Sequence, residues 1–141
     1  LIDGQLSVND LPHEWNRLYS ELLGVHPKTD SEGCLQDVHW SEGQFGYFPS
    51  YLMGHLISAQ LSESMSSDLC EYAKDGFDPI EACITSSQES VLLSWLRDNV
   101  HKYGRQINAE TLVNNISGKP LSSKAFLNYL EEKIERLSQG K

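Results

Sequence analysis

The sequence contains no run approaching the roughly twenty apolar residues that cross a bilayer, and it carries little positive charge. Eleven Lys and Arg stand against twenty Asp and Glu, a net charge of −9. The basic residues are scattered rather than gathered into a stripe, so a phosphate backbone would be repelled more than attracted. Neither a membrane nor a nucleic acid is expected as a partner. Cysteine is scarce as well. Cys34, Cys70 and Cys83 are odd in number and lack C-x-x-C spacing, which argues against a disulfide framework and against a zinc knuckle. Reduced thiols in the cytoplasm or another reducing intracellular compartment are the expectation. The opening Leu1-Ile2-Asp3-Gly4 has no initiator methionine, basic n-region or apolar h-region, and suits a piece of a longer protein. There is no strand-rich stretch and no internal repeat.

One further absence bears on chemistry. A helical zinc peptidase site places two His at i and i+4 on one face, with a Glu between them to activate water. The segment His13-Glu14-Trp15-Asn16-Arg17 begins that pattern and ends it with an arginine. A guanidinium has no lone pair to offer and repels a cation. His13 and Glu14 therefore read as polar residues on an amphipathic helix.

What is present is helical. Counting Gly, the apolar share is ordinary for a globular chain, and 141 residues are enough to bury a core. Asp10 as N-cap and Pro12 in the first turn open a helix carrying Leu11, Trp15, Leu18 and Leu22, which Gly24 ends. Residues 34 to 40 are open between a short strand and the start of a helix, and 41 to 46 read as a loop. A long helix begins near Pro49 and runs toward Leu69 through Leu52, Met53, Leu56, Ile57, Gln60, Leu61, Ser64 and Met65. A turn near Asp75-Gly76, a short helix from Asp78-Pro79, and a helix capped by Ser87 with Val91, Leu92, Trp95, Leu96 and Val100 follow. Asn108 caps another, stopped by Ser117-Gly118-Lys119-Pro120. Ser122 or Ser123 opens the last, with Phe126, Leu127, Leu130, Ile134 and Leu137 on one face.

Reactive chemistry concentrates in residues 33 to 51, Gly33-Cys34-Leu35-Gln36-Asp37-Val38-His39-Trp40-Ser41-Glu42-Gly43-Gln44-Phe45-Gly46-Tyr47-Phe48-Pro49-Ser50-Tyr51. Glycines let a backbone approach a ligand, and His and Tyr can donate to a developing oxyanion near neutral pH. The order Gly33-x-x-Gln36-Asp37-x-His39-Trp40, then Ser41-x-Gly43-x-Phe45-Gly46-Tyr47-Phe48-Pro49-Ser50-Tyr51-x-x-Gly54, resembles the signature near the C-terminus of the Taq-type zinc metallocarboxypeptidases. Asp10-Leu11-Pro12-x-x-Trp15-Asn16-x-x-Tyr19 and Leu23-Gly24-Val25-x-Pro27 resemble that family's lead-in. Trp95-Leu96-Arg97-x-Asn99-Val100-His101 and Phe126-Leu127-x-Tyr129-Leu130 resemble its closing helices. Residues 61 to 88 are the least typical.

The resemblance implies an all-α fold: residues 1–141 as one helical C-terminal region of a larger, mostly helical zincin-type metallopeptidase, with the active-site loop at 33–51. It implies an enzyme that removes C-terminal residues from peptides with zinc, cobalt or another divalent metal, often as a homodimer. The family's H-E-x-x-H, glutamate ligand and carboxylate-binding arginines belong upstream, so no metal is expected on this chain alone, which should be inactive without the upstream catalytic part. His39 and Tyr51 are expected as transition-state donors, with Tyr47 as a further donor or substrate contact. Gln36 is expected to hold substrate backbone, and Asp37 to bind substrate, orient His39 or anchor the loop. The segment is also similar to the His and Tyr loops of thimet-oligopeptidase-like enzymes, where the two lie about twelve apart, as His39 and Tyr51 do. Trp40, Phe45 and Phe48 are expected to pack. Two rivals remain: a stand-alone helical interaction module that has lost catalysis, and a nucleophilic hydrolase using Cys34 and His39.

Overall fold

A computed structural model describes residues 1–74 and 76–139. The chain is all-α among the described residues, with an isolated bridge between Lys74 and Phe77. It divides into two compact units, Leu1–Pro49 and Ser50–Lys141.

In the first unit, helix α1 spans Leu11–Leu23. Pro12 sits in its first turn, where a missing N–H is no loss, and Gly24 ends it in the left-handed conformation at φ 66°. Asp10 occupies the N-cap position without a side-chain bond to the helix; Ser7 instead accepts from Asn9 N–H and caps the 3₁₀ turn Val8–Asp10 that leads in. Trp15 stacks on Tyr19 at 5.1 Å and meets Trp40 edge-on at 5.8 Å, and Trp40 in turn stacks on Phe45 at 6.2 Å. This aromatic ladder ties α1 to the segment that follows. Residues left open between strand and helix form two 3₁₀ turns, Cys34–Gln36 and Val38–Glu42.

Helix α2 (Phe48–Asp68) begins with the last two residues of the first unit, and the rest of it belongs to the second unit with α3 (Pro79–Thr85), α4 (Glu89–Asn99), α5 (Ala109–Ser117) and α6 (Lys124–Gln139). Met65, Leu69, Cys83, Leu92 and Trp95 make that unit's buried cluster, and Ile80, Leu96 and Ile116 pack around it. The Trp95 indole donates to Asp68 at 2.8 Å, which satisfies the one polar atom that this ring brings into the core. Asp78 caps α3 by accepting from Glu81 N–H, and Asn108 caps α5 by accepting from Thr111 N–H. Gly118, at φ 67°, closes α5.

The cap expected for α4 changes. Ser87 does not cap α4. The chain reverses tightly after α3, with Ser87 N–H bonded to Ile84 O and Gln88 N–H to Cys83 O, which forces Ser87 to φ 57° and leaves Gln88 as the residue before the helix. Of the turn placed near Asp75-Gly76, Gly76 has φ 81° and Asp75 lies outside the described residues.

Gln60 sits on the apolar face of α2 yet is 4% exposed. Its amide nitrogen donates to Ser117 Oγ at 2.9 Å, Pro120 O at 3.1 Å and Lys119 O at 3.4 Å, while its oxygen accepts from Ser122 N–H at 3.1 Å. A buried amide with both ends engaged fastens the α5–α6 connection to α2.

Candidate active site

The motif segment is anchored at Gly33, which is buried. A Cβ there would lie 2.9 Å from Asn16 Oδ1 and 3.4 Å from both Pro27 Cβ and Thr29 O, so a side chain at this position would have to push the Asn16 amide of α1 aside. Cys34 follows with 4% exposure, inside the unit and distant in character from an exposed, activated thiol. The first 3₁₀ turn then delivers Asp37, 7% exposed, to the head of the second.

Asp37 uses one carboxylate oxygen twice. Oδ1 accepts from the backbone N–H of His39 at 3.3 Å, capping the turn, and lies 2.8 Å from Nδ1 of the same residue. The side chain of His39 is 18% exposed against 6% for Asp37. The far end of the turn closes at Gly43, whose φ of 74° is the left-handed conformation that glycine takes without strain. Backbone N–H groups of Gly43 and Gln44 bond to Trp40 O and His39 O at 3.0 Å each. The imidazole is therefore set on a hydrogen-bonded turn rather than on a free loop.

Two aromatic rings pack against it. Tyr47 stacks on His39 with centroids 4.3 Å apart and planes at 21°, and Phe48 approaches at 5.5 Å and 80°. The structure brings together Asp37, His39 and Tyr47 of the expected site residues. Gln36 is exposed, and its amide donates to Ser31 O. Tyr51 stands in the first turn of α2, in the second unit, 53% exposed. Of the residues expected to pack, Trp40 is half-buried in the aromatic ladder, Phe45 stacks on it at 52% exposure, and Phe48 is also a wall of the histidine site. That last role has no signal in the sequence beyond its nearness to Tyr47.

Among the described residues no three His, Cys, Asp or Glu side chains gather into a metal-binding group. The residues here do not fit a catalytic metal. At His13-Glu14 the carboxylate is clamped by Arg17, whose Nε and Nη2 donate to it at 2.9 and 2.7 Å, with a further bond to Glu21. That hydrogen bond holds the Glu14 carboxyl below its ordinary range, and the carboxylates hold Arg17 above its own. A broad cavity of about 1170 Å³ opens among α2, α3 and α6 in the second unit, lined by none of the motif residues.

A family model described as carboxypeptidase Taq (M32) metallopeptidase matches residues 1–134. The chain belongs to the M32 carboxypeptidase family. Carboxypeptidase 1 of Bacillus subtilis is 36% identical over 137 residues, covering 97% of this chain and 26% of that protein. Thermostable carboxypeptidase 1 of Thermus thermophilus is also 36% identical, covering 97% and 25%. Among solved structures, an M32 carboxypeptidase from Deinococcus radiodurans superposes with a TM-score of 0.83 at 32% identity, over 96% of this chain and 26% of its own. Trypanosoma cruzi metallocarboxypeptidase 1 does so with a TM-score of 0.81 at 30% identity, over 93% and 25%. The M32 chain described here thus spans about a quarter of the length of these relatives.

Proposed function

We propose that these residues form the C-terminal helical part of a metallocarboxypeptidase that releases C-terminal amino acids from peptides, and that residues 33–51 supply its transition-state donors. The Asp37–His39–Tyr47 arrangement carries this reading. A histidine oriented by a buried carboxylate and packed under a tyrosine is suited to bond a carbonyl oxygen as negative charge develops. Tyr51 is the second donor, Tyr47 a further donor or substrate contact, and Gln36 a contact to substrate backbone. Membership of a family of metallopeptidases supports the activity class.

Zinc, or cobalt in its place, would be held by residues of the upstream part of the same protein, so this chain alone binds no catalytic metal and cleaves no peptide. A homodimer in a reducing, cytoplasmic setting belongs to the same reading, supported by family resemblance and by Cys34, Cys70 and Cys83 all being free thiols.

A carboxypeptidase assay on a blocked dipeptide with added zinc or cobalt tests this, comparing the 141-residue chain with the protein extended upstream. Activity in the extended form alone is the expected outcome. Turnover by the short chain would put the catalytic centre in the wrong place, and inactivity of both would favour a helical interaction module.

A further inference from the structure

The contact between Asp37 and His39 has a consequence for the charge on the donor, and it rests on the reading of His39 as a catalytic group. An ionised carboxylate offers acceptors only, so Nδ1 of His39, 2.8 Å from Asp37 Oδ1, must be the donor of that bond. A neutral imidazole has a single N–H. With that proton on Nδ1, its Nε2 is an acceptor, and Nε2 can donate only once the ring holds a second proton. The surroundings suit such a cation: Asp37 faces one edge with a carboxylate that is 6% exposed, and Tyr47 lays its ring over the imidazole face at 4.3 Å, where the π quadrupole attracts positive charge. Asp37 and Tyr47 are the ionisable groups that these contacts set against the ring; Phe48 adds an uncharged edge.

We propose that Asp37 is a positioning residue that fixes the Nδ1–H form of His39, so that His39 meets the reacting carbonyl oxygen as an imidazolium and not as a neutral donor. No bond is made or broken in this role. The ring keeps both protons while the oxygen becomes negative, and a charge-assisted hydrogen bond forms between them.

Full-length protein carrying its metal and ¹⁵N-labelled histidine reads the ring directly, with the His39 signals identified by their loss in His39→Ala. The expected neutral form has its proton on Nδ1, and both ring nitrogens carry protons when a phosphonate analogue of the tetrahedral intermediate is bound. Asp37→Asn keeps an oxygen for the His39 N–H but removes the charge. Its expected effect is a drop in kcat of roughly 10–100-fold, with KM little changed and the second ring proton lost from the analogue complex. Asp37→Glu, which restores the charge, recovers part of the loss. A neutral ring protonated on Nε2, or a kcat that Asp37→Asn leaves unchanged, would overturn the proposal. Wild-type turnover by His39→Ala would overturn the catalytic reading instead, and the tautomer measurement tells the two failures apart.

Discussion

With Asp37 at Nδ1 and Tyr47 across its face, His39 lacks the freedom of a surface imidazole to turn in place. Orientation of this kind costs side-chain entropy at folding rather than during the reaction. Its removal should therefore appear in turnover. His39→Ala in the full-length protein is expected to lower kcat by about 100–1,000-fold, the usual cost of an oxyanion donor, and Tyr51→Phe to lower it by a smaller factor, measured in steady-state kinetics. Gln60 makes a contrasting case, since its four hydrogen bonds serve stability and not chemistry. Gln60→Leu strands the Ser122 N–H and is expected to destabilise by about 1–3 kcal/mol, read from denaturant midpoints, with residual activity of the folded fraction unchanged. Part of this was visible from the residue types: an Asp two positions before a His can reach it on one turn. The stacking of Tyr47 was not, because nothing in the spacing of the intervening glycines says where their backbone turns. Nor was the burial of Gln60, whose partners lie 57 to 62 residues away.

Helix ends followed local chemistry where the signal was strong. Asn108 and Gly118 bound α5, and Pro12 and Gly24 bound α1, because each residue type meets a backbone need that holds in any context. Residues 34 to 42 resisted assignment for the opposite reason. Their turns depend on Asp37 and Gly43 at the two ends and on the close pass of Gly33 against Asn16. Ser87 misled because a tight reversal after α3 outweighed its capping tendency. Two predictions belong at this scale. Gly33→Ala is expected to cost no more than about 1 kcal/mol, the low end of overpacking, because the Asn16 amide can swing aside, read as a slightly lower thermal midpoint. On α1, the Glu14 carboxyl is lowered by its hydrogen bond to Arg17, so its stabilisation is present above the ordinary carboxylate value and lost as pH falls through the lowered folded value. Because the pair is exposed, the effect is small and screened by salt. The difference in thermal midpoint between wild type and Glu14→Gln should shrink on acidification and on addition of salt.

For the whole molecule, apolar surface is distributed as expected of a part and not of a finished enzyme. On α6, Leu127, Ile134 and Leu137 are 51%, 62% and 68% exposed, although they lie on the face that helical spacing marks as apolar. The isolated 141-residue chain is expected to self-associate in sedimentation runs, and Ile134→Lys with Leu137→Lys to reduce that association. On the proposed reading, the motif residues supply the donors and an orienting carboxylate while the metal is held upstream, so metal binding and transition-state stabilisation would fall in different parts of the sequence. The most direct measurement is metal content and kcat in one preparation of full-length His39→Ala. Stoichiometric metal with turnover reduced about 100–1,000-fold is the predicted result; loss of the metal, or wild-type turnover, would contradict it.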